Sequence, residues 1–97
     1  MAKAYWVGCV HKVFDQAKFE AYQKLARPAL EAGGGRYIVR GQPAKVYDAG
    51  VMERTVLIEF PSIDAAIAAH DSDAYKKAVE ALDGGVEREI RIVEALE

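Results

Sequence analysis

Residues 33–41 read GGGRYIVRG: three glycines, then two arginines bracketing a short apolar run. Whether these glycines cradle an anion or end a helix decides the fold. A phosphate cradle runs strand, glycine loop, helix, so that the N–H groups of the helix N-terminus face the anion. The order here is the reverse. Upstream, Phe19, Tyr22, Ala26, Ala29 and Leu30 recur at helical spacing. Downstream, RYIVRG has the composition of a strand. The preceding helix would offer its C-terminal carbonyls, which repel anions, and glycine there supplies the backbone that closes a helix. The stretch therefore reads as a helix stop followed by a strand.

Working outward, KAYWVGCVHK (3–12) is aromatic and β-branched and predicts a strand. Asp15 is placed to cap the helix over residues 15–32, with Pro28 expected to kink it or tighten its last turn. AKVYD (44–48) either extends the second strand or forms a short one of its own. ERTVLIEF (53–60) is the third strand and ends at Pro61-Ser62. Ser62 caps a short helix bearing Ile63, Ala66, Ile67 and His70, and Ser72 or Asp73 caps another bearing Tyr75, Ala78, Val79 and Leu82. Asp83-Gly84-Gly85 stops it, and EREIRIVEAL (87–96) is the last strand. The order β-α-β-β-α-β, its second helical region split in two, predicts an α+β fold. This is the ferredoxin-like arrangement, an antiparallel four-stranded sheet with helices on one face, as a single domain over 1–97.

A sheet with one wet face alternates apolar and polar residues. Here Val56-Leu57-Ile58, Tyr5-Trp6-Val7 and Ile92-Val93 are consecutive, so both faces carry apolar groups. The helices cover one face. A second copy of the chain is the economical cover for the other, which predicts a homodimer packed through its sheet faces.

The composition excludes several classes. Thirteen Lys+Arg against fifteen Asp+Glu give a net charge of −2, with no basic stripe for nucleic acid or an anionic membrane. One cysteine, Cys9, forms no intramolecular disulfide or multi-cysteine metal site and suggests a reducing, cytoplasmic setting. No apolar run approaches the roughly 20 residues of a membrane span. MAKAYWVGCV lacks the long apolar segment of a signal peptide and reads as a strand of the mature protein.

GGGRYIVRG, IEFPSIDAA (58–66), SDAYKKA (72–78) and IVEAL (92–96), with Phe19, Tyr22 and Pro28, resemble a largely bacterial family, domain-of-unknown-function family 1330. The most specific pieces are G-G-R-Y-x-V-R-G and E-F-P-S. That family resembles the dimeric α+β barrel superfamily, which includes cofactorless monooxygenases, small-ring isomerases and haem enzymes. The resemblance implies the fold and the dimer. It assigns no activity.

Strand parity supplies candidate site residues. Val56, Ile58 and Phe60, with Ile90 and Ile92, are assigned to the helix side. Thr55, Leu57, Glu59, Arg91 and Val93 then face the dimer interior. Arg36 and Arg40 are four apart, so regular alternation puts both on one face, and an inward Arg40 would meet Glu59. Such a pair is structural in one reading, fixing register or interface. In the other, Arg40 and Arg91 bind an anion while Glu59 handles a proton.

His70 ends its helix, where a cap or a general acid/base at a pocket rim are the alternatives. His11 shares a face with Cys9 near a strand end, which suits a cleft residue, while Cys9 reads as packing. The charges at 87–91 read as solvated or edge-strand positions. The sequence thus suggests a small cofactor-independent enzyme or binder of a small anionic organic molecule, with no metal or cofactor. The rival is a non-catalytic accessory homodimer whose charges are interface pairs. An open cavity of roughly 300 Å³ favours the first and a closed, fully paired interior the second.

Overall fold

In the computed structural model, which describes residues 2–96, the stretch Ala4–Val13 forms strand β1. Its alternation is visible at once: Ala4, Trp6 and Val10 are buried and the residues between them are not. Helix α1 follows at Gln16–Ala32, then β2 at Arg36–Gly41, β3 at Thr55–Phe60, α2 at Ile63–His70, α3 at Asp73–Leu82 and β4 at Val86–Glu94. The strands lie in the order β2-β3-β1-β4, every neighbouring pair antiparallel. This is the expected α+β, ferredoxin-like sheet. Residues 1 and 97, included in the expected domain, lie outside the described range.

The helix starts follow from their caps. Asp15 Oδ1 accepts from the Lys18 N–H at 3.1 Å, Ser62 Oγ from Ala65 at 3.1 Å and Ser72 Oγ from Tyr75 at 3.2 Å. Each satisfies one of the N–H groups that a first turn leaves free. Helix α1 runs through Pro28 without a break and ends at the glycines. Gly34 has φ +100°, and the Gly35 N–H bonds Leu30 O at 2.9 Å. A Cβ on Gly35 would come within 2.9 Å of the Phe60 ring, so the chain leaves the helix in close contact with β3. The glycine run is a helix stop, as its order in the sequence predicts.

Trp6, Phe60, Ile58, Leu30, Tyr75 and Ala66 form the centre of the core between sheet and helices. The parity assignments for β3 and β4 hold: Ile58 and Phe60 are buried, and Val56, Ile90 and Ile92 pack against the core. Residues 44–48 form no strand. They belong to a long irregular connection between β2 and β3.

The parity of β2 fails. Arg36 pairs with Glu59 and Tyr37 with Ile58, but Val39 pairs with Leu57 and Arg40 with Val56. Ile38 is an extra residue in a β-bulge, and an extra residue reverses the face of everything after it. Arg40 therefore shares the helix-side face with Val56, opposite to the face of Arg36 and Glu59.

Candidate functional site

Three arginines reach one cavity. Arg40 comes from β2, turned by the bulge. Arg54 sits just before β3, and Arg88 lies on the helix-facing side of β4 opposite Val10. The cavity lies between α1 and the sheet, is lined also by Trp6, Tyr22 and Tyr37, and measures about 50 Å³. That volume holds roughly three or four water molecules, or a ligand of a few heavy atoms. It is well below the 300 Å³ of a drug-sized site.

Among the described residues, no carboxylate lies within ion-pair distance of Arg40, Arg54 or Arg88. Arg40 is exposed, whereas Arg54 and Arg88 are half-buried, where a guanidinium usually has such a partner because desolvating a charge is costly. Arg88 instead donates to Tyr22 Oη at 2.6 Å and Tyr75 Oη at 3.2 Å, and its guanidinium carbon stands 4.6 Å from the centre of the Tyr22 ring. Burial opposes its charge, but the two phenols outweigh burial and hold its pKa above the ordinary arginine value. Arg54 is shifted downward, first by partial burial and then by the charge of Arg40. Tyr37 is pushed up to about 12, chiefly by burial and then by Tyr22, with Arg27 and Arg40 pulling the other way. Burial likewise raises Tyr75, so both phenols stay protonated at neutral pH. The charged residues of the lining are all cationic, and the rest is aromatic and aliphatic apart from Gln23.

The other sequence candidates stand apart from it. Glu59 faces the open side of the sheet, where it accepts from Arg36 Nη2 at 3.2 Å and Tyr5 Oη at 3.3 Å, with Lys3 Nζ at 3.4 Å. The expected Arg40–Glu59 pair is thus replaced by Arg36–Glu59, and the bulge is the reason. Partial burial pushes the Glu59 carboxyl up, but Arg36 and Lys3 together hold it below the usual carboxylate range. Arg91 is exposed on the open face and bonds Glu89 at 3.3 Å.

His11 is on the open face too, 3.6 Å from both Glu87 and Glu89, beside a wider hollow of about 350 Å³ under residues 43–51. Cys9 is half-buried and borders both hollows. His70 bonds Asp71 at 3.0 Å and rests 5.6 Å from the Trp6 ring and 5.3 Å from Tyr75, but does not line the arginine cavity. Neither histidine nor Glu59 is therefore positioned to move a proton there.

Sequence reading missed Arg54 and Arg88 as site residues and did not single out Tyr22 or Tyr75 among the aromatics. Arg88 was detectable: it has the parity of Ile90 and Ile92, which were assigned to the helix side. Tyr22 and Tyr75 lie on apolar helix faces and are indistinguishable there from core residues. Arg54 was detectable as well: it falls within the expected third strand, residues 53–60, and has the parity of Val56, Ile58 and Phe60.

The fold and the cavity define a ferredoxin-like α+β protein with a basic, aromatic-lined pocket between its layers. The chain belongs to the family described as Domain of unknown function (DUF1330), whose model matches residues 3–96. No curated protein matches it. Among solved structures it is similar to a protein of unknown function from Rhodopseudomonas palustris, with TM-score 0.75 and 16% identity over 99% of this chain and 84% of that one. SnoaB, a cofactor-independent oxygenase from Streptomyces nogalater, superposes with TM-score 0.64 and 16% identity, covering 100% and 96% of the two chains. A Nipsnap family protein of unknown function from Agrobacterium tumefaciens gives 0.63 and 10%, covering 99% and 90%. At these identities the likeness is one of fold. No helix among the described residues is long and apolar enough to cross a membrane.

Proposed function

We propose that the protein binds a small organic anion in the cavity between α1 and the sheet, with Arg40 and Arg54 as its charge partners. One observation carries this reading: three arginines and no carboxylate line a partly apolar cavity. The like charges of Arg40 and Arg54 oppose each other when the cavity holds no anion. An incoming carboxylate relieves that repulsion and accepts the planar, charge-assisted hydrogen bonds that arginine offers. The small volume restricts the ligand to a short carboxylate or one that extends out through the mouth. Similarity of fold to a cofactor-independent oxygenase makes enzyme chemistry without a cofactor a compatible extension.

The chain has one tryptophan, and Trp6 lines the cavity. Titration with propionate at constant ionic strength should change Trp6 fluorescence saturably, with chloride as the control. A ligand of about five heavy atoms is limited to roughly millimolar affinity or a few decades better. Arg40→Leu and Arg54→Met should each weaken binding at least about tenfold, as loss of a charged hydrogen bond implies. A response that is unsaturable, or equal in wild type and both variants, refutes the reading.

A second reading concerns the open face, where Lys3, Tyr5 and Arg36 all engage Glu59. These contacts favour a homodimer in which the charges set the interface. It is compatible with the anion site, because the two lie on opposite faces of the sheet.

A further inference from the structure

The hydroxyls of Tyr22 and Tyr75 lie 2.7 Å apart, and either could be the donor. Counting acceptors settles the direction. Tyr75 is completely buried, and among the described residues its proton has one acceptor in reach, Tyr22 Oη. The guanidinium of Arg88 only donates. Were Tyr22 to donate instead, the Tyr75 proton would be buried without a partner, at a cost of roughly 1–3 kcal/mol, whereas a Tyr22 proton can turn to the cavity that Tyr22 lines. Tyr75 therefore donates to Tyr22.

Tyr22 Oη then accepts from Tyr75 at 2.7 Å and from Arg88 Nη1 at 2.6 Å. A phenolic oxygen has two acceptor positions and one proton. Both positions are filled, so the proton of Tyr22 is left to point elsewhere. Tyr22 lines the arginine cavity, and Tyr75 does not. Two hydrogen bonds fix the oxygen, and the rings are locked edge-to-face at 6.0 Å between centroids.

We infer that the Tyr22 hydroxyl is a fixed hydrogen-bond donor in the cavity, and that the preferred anion is a short 2-oxo acid. This rests on the anion-binding reading above. The carboxylate takes Arg40 and Arg54, and the adjacent carbonyl oxygen accepts from Tyr22. A carbonyl oxygen suits this position because it needs a donor and brings no proton of its own, whereas an alkyl group of the same size leaves the Tyr22 proton unpaired. Tyr22 is a specificity-determining residue and Arg88 positions it.

The probes are pyruvate and propionate, nearly equal in size and different in the carbonyl. Trp6 fluorescence should report tighter binding of pyruvate by about three- to tenfold, the worth of one neutral hydrogen bond. Tyr22→Phe should remove that difference, so that the two acids bind alike. Tyr22→Phe also takes the acceptor from Tyr75 and can disturb the fold. A crystal of the wild type soaked in pyruvate therefore gives a second readout: the carbonyl oxygen within about 3 Å of Tyr22 Oη.

Equal affinity for the two acids in the wild type overturns the inference and leaves the anion site standing. So does a carbonyl oxygen bound away from Tyr22, or an equal loss of both acids in Tyr22→Phe. If neither acid binds, the anion site itself is overturned and this inference with it.

Discussion

At the scale of single residues, the two faces of the sheet treat charge in opposite ways. On the open face Glu59 is surrounded by Arg36, Lys3 and the Tyr5 hydroxyl. On the helix face Arg40, Arg54 and Arg88 form no ion pair among the described residues. The first arrangement favours the folded state, and its pH dependence has a definite sign. The Glu59 carboxyl is lowered in the folded protein, so its contribution is present above the unfolded carboxyl pKa and lost as pH falls through the folded one. The thermal midpoint of the wild type should therefore exceed that of Glu59→Gln at neutral pH. The gap should close below roughly pH 4.5, where an unperturbed glutamate begins to protonate. A gap independent of pH between about 7 and 3 would mean that Glu59 acts through packing alone.

At the scale of elements, the outcome for each strand shows what alternation can and cannot reveal. In β3 and β4 the pattern has no interruption. The rule that neighbours point to opposite faces placed Val56, Ile58, Phe60, Ile90 and Ile92 correctly, and would have placed Arg88 with them. The helix boundaries were legible for a related reason: Asp15, Ser62, Ser72 and the glycine run act on backbone groups within a few residues of themselves.

The bulge in β2 has no comparable local signal. Ile38 looks like any strand residue, and its extra place is created by how β2 meets β3. One residue thus moved Arg40 from the expected pair with Glu59 into the cavity. This has a direct test. Deleting Ile38 shortens the bulge to a regular strand while leaving Arg36 outside and Arg40 inside. Propionate binding by the deletion variant should stay within about threefold of wild type, less than the loss of one hydrogen bond. In a bulge-free strand the same deletion would carry Arg40 across the sheet and abolish binding.

At the scale of the whole molecule, the described residues form a slab 38 by 34 by only 15 Å, one layer of helices on one of strands. The open strand face is not a polar exterior. Leu57 stands opposite Val7 on one side and Val39 on the other, an apolar row across three strands, and Val93 lies on the same face. Val39 and Val93 are 45% and 51% exposed. The row is flanked by the Glu59 cluster at one end and by His11, Glu89 and Thr55 at the other. An apolar centre with a polar rim is the anatomy of a protein interface. A second copy turned by a two-fold axis would lay one row on the other.

The chain should therefore sediment at micromolar concentration at twice its 10.6 kDa mass. Leu57→Lys should return it to a monomer by placing a charge of one sign at the centre of both copies. Because Leu57 and Arg40 lie on opposite faces, the same variant should keep the Trp6 response to propionate within about threefold, below the effect of losing a hydrogen bond. A wild type that sediments at 10.6 kDa would leave the apolar row without a partner of its own kind. A Leu57→Lys monomer that loses propionate would mean that the interface helps to shape the cavity, joining two features that the sheet otherwise separates.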